Sequence, residues 1–356
     1  MSRQDQAEIK RIVVRTPNWV GDAVMSLPAL HQLRQLFRSA DITLVAPPGT
    51  ADIFIDADFA DSVLKARRGI SGVITGAREW KAGRFDLAVL LQNAFAAAMT
   101  AFLARVPVRI GYDTDRRGAL LTTAVPLPDW RHERHESFYY LNIVTELERL
   151  AFGTSSIATT APRFDLRVSD ERKKSVRVIL DQAGTPLNKP LAVLCPGSVN
   201  SRAKRWPVER YAELADRLIE SGMTVVLIGS PGEIGVTNEL MARVKCQPIA
   251  LTGKTSVAQA AAIISIADVL VTNDTGPAHL GAALNTPTLV IFGPTNPLTT
   301  YPFSEAGQII RHPPDCAPCM LRDCPIDHRC MTAITPQEVF EHVTRLMKAR
   351  ASQVFG

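Results

Sequence analysis

The sequence predicts an α/β protein made of doubly wound parallel sheets in two domains, and three observations carry that expectation. Strand-length apolar runs alternate with helix-period segments along most of the chain, as βαβ units require. The alternation loosens once, near the middle, and then resumes as a second series. A length of 356 residues leaves enough chain for each series to bury its own core.

In the first series RIVV reads as a buried strand. GDAVMSLPALHQLRQLF follows as an amphipathic helix interrupted or kinked at Pro28, whose ring removes a helical hydrogen bond. Then come the strand ITLVA, a short helical segment near Ile53, the strand SVLKA and a mixed segment through Trp80. Leu87–Val106 approaches the length of a bilayer span, but Gln92 and Asn93 split it. A strand (FDLAVLL), a polar turn and an Ala-rich helix fit it better than a membrane segment. PVRIGY is a further strand. From Asp113 to Arg134 the pattern loosens, and HESFYYLNIVTELERLAF restores a helix. Gly153–Arg163, rich in Thr, Ser and Ala, starts a linker. The expected domains are therefore residues 1–165 and 166–356.

The second series opens with a charged helix from Ser169 to Gln182. The strand PLAVLCPG, a helix from Val208 to Glu220 and the strand MTVVLIGS follow. After them come a helix past Glu233, a short strand near Ile249 and the helix VAQAAAIISIA. The strand DVLVT, the helical stretch GPAHLGAAL and the strand TPTLVIF close the series. A Cys-rich loop and a helix from about Pro336 to Lys348 end the chain.

At 46% hydrophobic and 21% charged residues, the composition is that of a soluble globular protein. A net charge of +5 favours anionic partners such as nucleotides, anionic saccharides or an acidic membrane surface, and is too small to predict nucleic-acid binding. No signal sequence opens the chain, so a cytoplasmic protein is expected. Neither Gly-x-Gly-x-x-Gly after the first strand nor Gly-Lys-Ser/Thr is present, which weighs against NAD enzymes and P-loop ATPases.

Chemistry concentrates at strand-to-helix turns. Asp274-Thr275-Gly276 follows DVLVT, with Pro277 suited to a first helical turn and His279 just inside it. The unpaired N–H groups and dipole of such a helix start bind anions, although many Asp-Thr-Gly turns only cap the helix. Ser198, Lys204 and Arg205 lie in the loop after PLAVLCPG, where basic groups neutralise a diphosphate or simply face solvent. Glu233, in GSPGE, is a weak candidate for a ribose hydroxyl. Asp22 ends the RTPNWVGD turn as a helix-start carboxylate or as a general base. Asp56-Ala-Asp58 and Asp113-Thr-Asp115 read as structural turns rather than metal pairs. Cys316, Cys319, Cys324 and Cys330, with His328 among them, allow packing thiols, a structural zinc or a disulfide.

Taken together, WVGDAVMSLPAL, PGS with AKRWP, NDTGPAHLGAAL and FGPTNP occur in the order found in bacterial lipopolysaccharide heptosyltransferases, which the chain resembles over nearly its whole length. Trp-Val-Gly-Asp, Ala-Lys-Arg-Trp-Pro and CPIDHRCM lean toward the type II members. The resemblance implies a GT-B fold, two Rossmann-like domains across a cleft. It also implies inverting transfer of L-glycero-D-manno-heptose from ADP-heptose to heptosyl-Kdo2-lipid A without an obligatory metal. By motif, Asp22 becomes the base, Lys204 a phosphate ligand, and Asp274, Thr275, Gly276 and His279 the donor loop, with Ser198, Arg205 and Glu233 as further donor contacts. Asn200 and Arg202, in a loop more polar than the family's usual version, are additional phosphate candidates. Arg67, Arg68, Arg116, Arg117, Arg131 and Arg134 are the expected acceptor-binding residues, suited to Kdo carboxylates and lipid A phosphates. The implied protein works at the cytoplasmic face of the inner membrane as a peripheral enzyme. A heptosyltransferase I, a nucleotide-sugar 2-epimerase on the same fold and a non-catalytic anion-binding module are the competing readings.

Overall fold

The computed structural model describes residues 9–186, 188–305 and 307–355. The chain divides into two compact units, Met1–Leu166 and Arg167–Gly356. The first holds a six-stranded sheet in the order β3-β2-β1-β4-β5-β6. Its strands are β1 (Arg11–Arg15), β2 (Asp41–Ala46), β3 (Ser62–Lys65), β4 (Leu87–Leu90), β5 (Val108–Tyr112) and β6 (Thr123–Val125). The second holds β7 (Leu191–Cys195), β8 (Thr224–Leu227), β9 (Ile249–Ala250), β10 (Val269–Asn273), β11 (Thr288–Ile291) and β12 (Gly307–Ile310). Their order is β12-β11-β10-β7-β8-β9. The two orders are the same winding, and every recorded pairing is parallel. In each unit the first and fourth strands are central neighbours, β1 with β4 and β7 with β10. The strand order reverses there, and the loops beyond the carboxyl ends of such a pair form the crevice where open α/β sheets take ligands.

The central strands are buried on both faces, as their continuous apolar sequences dictate: LAVLC and VLVTN have no exposed residue. Helix breaks follow local chemistry. The helix predicted across Pro28 is two, Val20–Met25 and Leu27–Leu36, with the break at Ser26 and Pro28 in the first turn of the second. The mixed segment before Phe85 is a 15-residue helix, Gly69–Gly83. Its glycines and β-branched residues disfavour helix locally, and the burial of Ala77, and of Trp80 in the core formed with β4 and Phe95–Leu103, overrides them. Two edge strands, β6 and β12, lie where no strand pattern is visible in the sequence. Leu87–Val106 is indeed a strand and a separate helix, and among the described residues no helix is long and apolar enough to cross a membrane.

Candidate active site

In the second unit the site is built at the carboxyl ends of β7 and β10. Asn273, the last residue of β10, is fully buried and ties the two loops together. Its amide donates to the carbonyls of Pro196 (2.9 Å) and Gly197 (3.1 Å), and its Oδ1 accepts from Trp206 N (3.0 Å) and the Tyr211 hydroxyl (3.2 Å). Trp206 is buried, and its indole donates to the Ile334 carbonyl at 3.0 Å, which anchors the far end of the Lys204 loop in the core. With the knot fixed, Lys204 reaches Asp274: its Nζ donates to Oδ2 at 2.9 Å and to the carbonyl at 3.1 Å. Asp274 is only 3% exposed, and its Oδ2 also accepts from the Thr295 hydroxyl at 2.6 Å. An ammonium has three N–H donors, so one remains for a ligand.

Thr275 and Gly276 begin the helix Gly276–Ala283, with Pro277 in its first turn and His279 buried one turn on. The first N–H groups of that helix and the Lys204 ammonium put positive groups of the kind that hold an anion at the end of β10. Asp274 is the counter-charge that orients Lys204. Other predicted donor residues are used in shaping the loops. Ser198 is buried, and its carbonyl accepts both Arg205 Nε (3.1 Å) and Nη2 (2.8 Å), so the Arg205 fork folds the loop back on itself. Glu233 Oε2 accepts from Ser230 N and Ser230 Oγ, both at 2.7 Å, while its other oxygen lies against Gly197, where any Cβ would collide with it. That close approach explains glycine at position 197. Asn200 is exposed, and Arg202 pairs with Asp323.

In the first unit Asp22 sits in the first turn of Val20–Met25, directly after β1, and is half-buried. Its Oδ1 accepts from the Tyr140 hydroxyl at 2.9 Å. Burial and the charges of Asp22 and Glu136 push the Tyr140 phenol well above its ordinary value, so it remains a donor. Glu136, held by Arg131 through both guanidinium nitrogens, is raised above the ordinary carboxylate range by burial, against the pull of Arg131 and helped by the charge of Asp22. Arg131 also lies 3.8 Å over the Tyr139 ring. The sequence singled out neither Tyr140 nor Glu136, because nothing local links them to a turn 118 residues away.

A cavity of about 360 Å³ opens beside this turn, lined among others by Arg15, Trp19, Lys65, Arg67, Arg68 and Gln92. Trp19 is 59% exposed there. Burial lowers the Arg15 guanidinium to about 10, and it stays cationic at neutral pH. Gly72 lets the helix Gly69–Gly83 rest on the Arg67 backbone, which a Cβ would meet at 2.7 Å.

The expected acceptor arginines are thus not one surface. Arg67 and Arg68 line the cavity. Arg116 is exposed in a left-handed turn (φ 57°), and Arg134 stacks on Trp130 and Phe138. Arg131 is spent on Glu136. The Arg117 expectation is overturned: the side chain is fully buried, donating to the carbonyls of Tyr112 and Gln92 and to Asn93 Oδ1. It welds the β4 and β5 ends together and is closed to an acceptor.

All six cysteines are free thiols. Among the described residues no three His, Cys, Asp or Glu side chains are grouped to hold a metal ion. Burial raises the Cys330 thiol to about 11, with the neighbouring thiols adding to the effect, consistent with a packing role.

The sequence signature of Glycosyltransferase family 9 (heptosyltransferase) matches residues 75–329. Lipopolysaccharide heptosyltransferase 2 of Escherichia coli K12 is 30% identical over 354 residues, covering 95% of this chain and 98% of the relative. Lipooligosaccharide heptosyltransferase 2 of Haemophilus ducreyi is 30% identical over 85% of this chain and 88% of its own. Among solved structures, that of E. coli ADP-heptose lps heptosyltransferase II superposes with a TM-score of 0.83 at 27% identity, covering 96% of this chain and 99% of that one.

Proposed function

The chain belongs to glycosyltransferase family 9, with the doubly wound pair of units that makes up the GT-B fold, and from that premise we propose that it transfers L-glycero-D-manno-heptose from ADP-heptose to heptosyl-Kdo2-lipid A. The observation that supports this most is the cationic corner at the end of β10. A departing ADP carries its negative charge on the diphosphate, and the remaining Lys204 donor and the N-terminus of Gly276–Ala283 stabilise that charge as it develops. Asp22 takes the proton of the acceptor hydroxyl while its oxygen attacks the anomeric carbon. The bond from that carbon to the diphosphate oxygen breaks, ADP leaves, and the configuration inverts. Tyr140 holds the carboxylate in place for this task.

The cavity beside Trp19 is the acceptor's anionic anchor in this reading, with Lys65, Arg67 and Arg68 matched to carboxylate or phosphate groups. The acceptor is a membrane lipid, so the enzyme meets it as a peripheral protein on the cytoplasmic side. Length-wide similarity to type 2 relatives favours the second heptose transfer over the first.

Asp22→Asn tests the mechanism. It keeps size and most hydrogen bonding but removes the basic lone pair, so kcat should fall about 10²–10⁴-fold. ADP affinity should hold within a few-fold. Normal turnover in this variant would remove the base from the mechanism.

A further inference from the structure

The Cys-rich stretch has no part in the reaction as described, yet it holds the residue next to Lys204 on both sides, by one backbone carbonyl and one side chain. Ala203 N donates to the Arg322 carbonyl at 2.9 Å, and His328 Nε2 donates to the Ala203 carbonyl at 2.6 Å. Ser201 Oγ donates to the same Arg322 carbonyl at 3.2 Å, and Arg202 Nε reaches Asp323 at 2.6 Å. The opposite wall of the anion site is held by the same stretch: Met320 N donates to the Pro294 carbonyl at 2.9 Å, beside Thr295, which bonds Asp274. The stretch is itself fixed. His328 adopts φ 57° at the start of the helix Arg329–Thr332, whose Cys330 and Met331 are buried in the core shared with β10 and β11.

We propose that residues 316–330 are a brace for the diphosphate site and that His328 is the positioning residue that sets Lys204. The Lys204 segment is a single 3₁₀ turn, Arg202–Lys204, too short to hold its own geometry. Its shape comes from the contacts to this stretch. The imidazole serves because it donates to a carbonyl from a rigid ring, and the left-handed backbone at His328 turns that ring toward Ala203. Cys330 and Met331, both buried, seat the brace against Gly293. This inference rests on the reading of Lys204 as the donor's phosphate ligand.

The test is calorimetric affinity for ADP together with steady-state kinetics on the full chain, for His328→Leu, His328→Gln, Lys204→Ala and the His328→Leu/Lys204→Ala double variant. Losing the hydrogen bond should weaken ADP binding and raise donor KM by roughly three- to tenfold, with acceptor KM unchanged. Glutamine, which can donate to the same carbonyl, should restore most of the affinity, a rescue that a purely structural histidine would not show. In the Lys204→Ala background His328→Leu should cost nothing further. A full, additive loss in the double variant, or wild-type ADP affinity in His328→Leu while Lys204→Ala is weakened, would overturn the brace alone. Wild-type affinity in Lys204→Ala would overturn the phosphate-ligand reading and the brace with it. Should His328→Leu fold poorly, Asp323→Ala removes an exposed contact of the same brace, and unaltered donor KM there counts against the proposal.

Discussion

Lys204→Ala separates the stability role of the Lys204–Asp274 pair from its binding role. The ammonium spends two donors on Asp274, and the third is the one that the proposed mechanism gives to ADP. A charge-assisted hydrogen bond to phosphate contributes about 1.5–3 kcal/mol, so the variant should bind ADP roughly ten- to a hundred-and-fifty-fold more weakly. It should also melt lower, because a carboxylate 3% exposed keeps Thr295 but loses its cation. Breaking a buried pair on one side costs up to about 3–5 kcal/mol; Lys204 is 26% exposed, which puts the cost here below that range. Lys204→Ala/Asp274→Asn discharges both groups and should recover much of the melting temperature while ADP affinity stays low. Isothermal titration calorimetry with ADP and thermal melts on the three proteins suffice. Wild-type affinity in the single variant, or affinity regained with stability in the double, would refute the assignment.

Four further outcomes are expected. Tyr140→Phe removes a hydrogen bond that favours ionised Asp22, so the acid limb of the kcat/KM profile should move to higher pH with ADP affinity unchanged; a superimposable profile would dismiss Tyr140 as a positioning group. Charge reversal at Arg67 and Arg68 should raise acceptor KM and spare the donor, whereas Arg117→Ala should chiefly lower stability, by several kcal/mol as expected when a buried, fully bonded cation is removed; acceptor kinetics at wild type in the first would leave the cavity without a role. Glu148 is buried, which raises its pKa, but hydrogen bonds from Ser156, Ile157 and Thr154 outweigh this and hold it below the ordinary carboxylate range. A depressed folded pKa gives stability that is complete above the unfolded value of about 4.3 and lost as pH falls through the folded one. Glu148→Gln should therefore melt lower than wild type at pH 7, with the gap closing as pH falls below about 4.3 and through the lower folded value, and a pH-independent gap would contradict the linkage.

What the sequence disclosed was whatever local order encodes. Continuous apolar runs marked β1, β7, β10 and β11, and Pro277 after Asp-Thr-Gly marked the start of the helix Gly276–Ala283. Two of the four edge strands escaped because β6 has three residues and β12 opens with Gly-Gln, too little pattern for period-two alternation, while β3 and β9 were marked. The site was legible as turns and not as contacts. Asp22 and Lys204 stand at turns that chemistry singles out, but Tyr140, Glu136 and His328 reach their partners across 118, 5 and 125 residues, and only the short step leaves a local trace. Arg117 misled for the same reason: a basic run reads as surface until Tyr112, Gln92 and Asn93 are found closing over one member of it.

The measurement that bears most directly on the central claim is a transfer assay with the purified chain, pairing ADP-heptose, UDP-sugars and GDP-sugars with Kdo2-lipid A and heptosyl-Kdo2-lipid A and reading the acceptor by mass spectrometry. One heptose should be added with ADP-heptose and the heptosylated acceptor, and with no UDP- or GDP-sugar. Transfer to Kdo2-lipid A instead would move the chain to the first heptose addition, and the absence of product in every pairing would contradict the account.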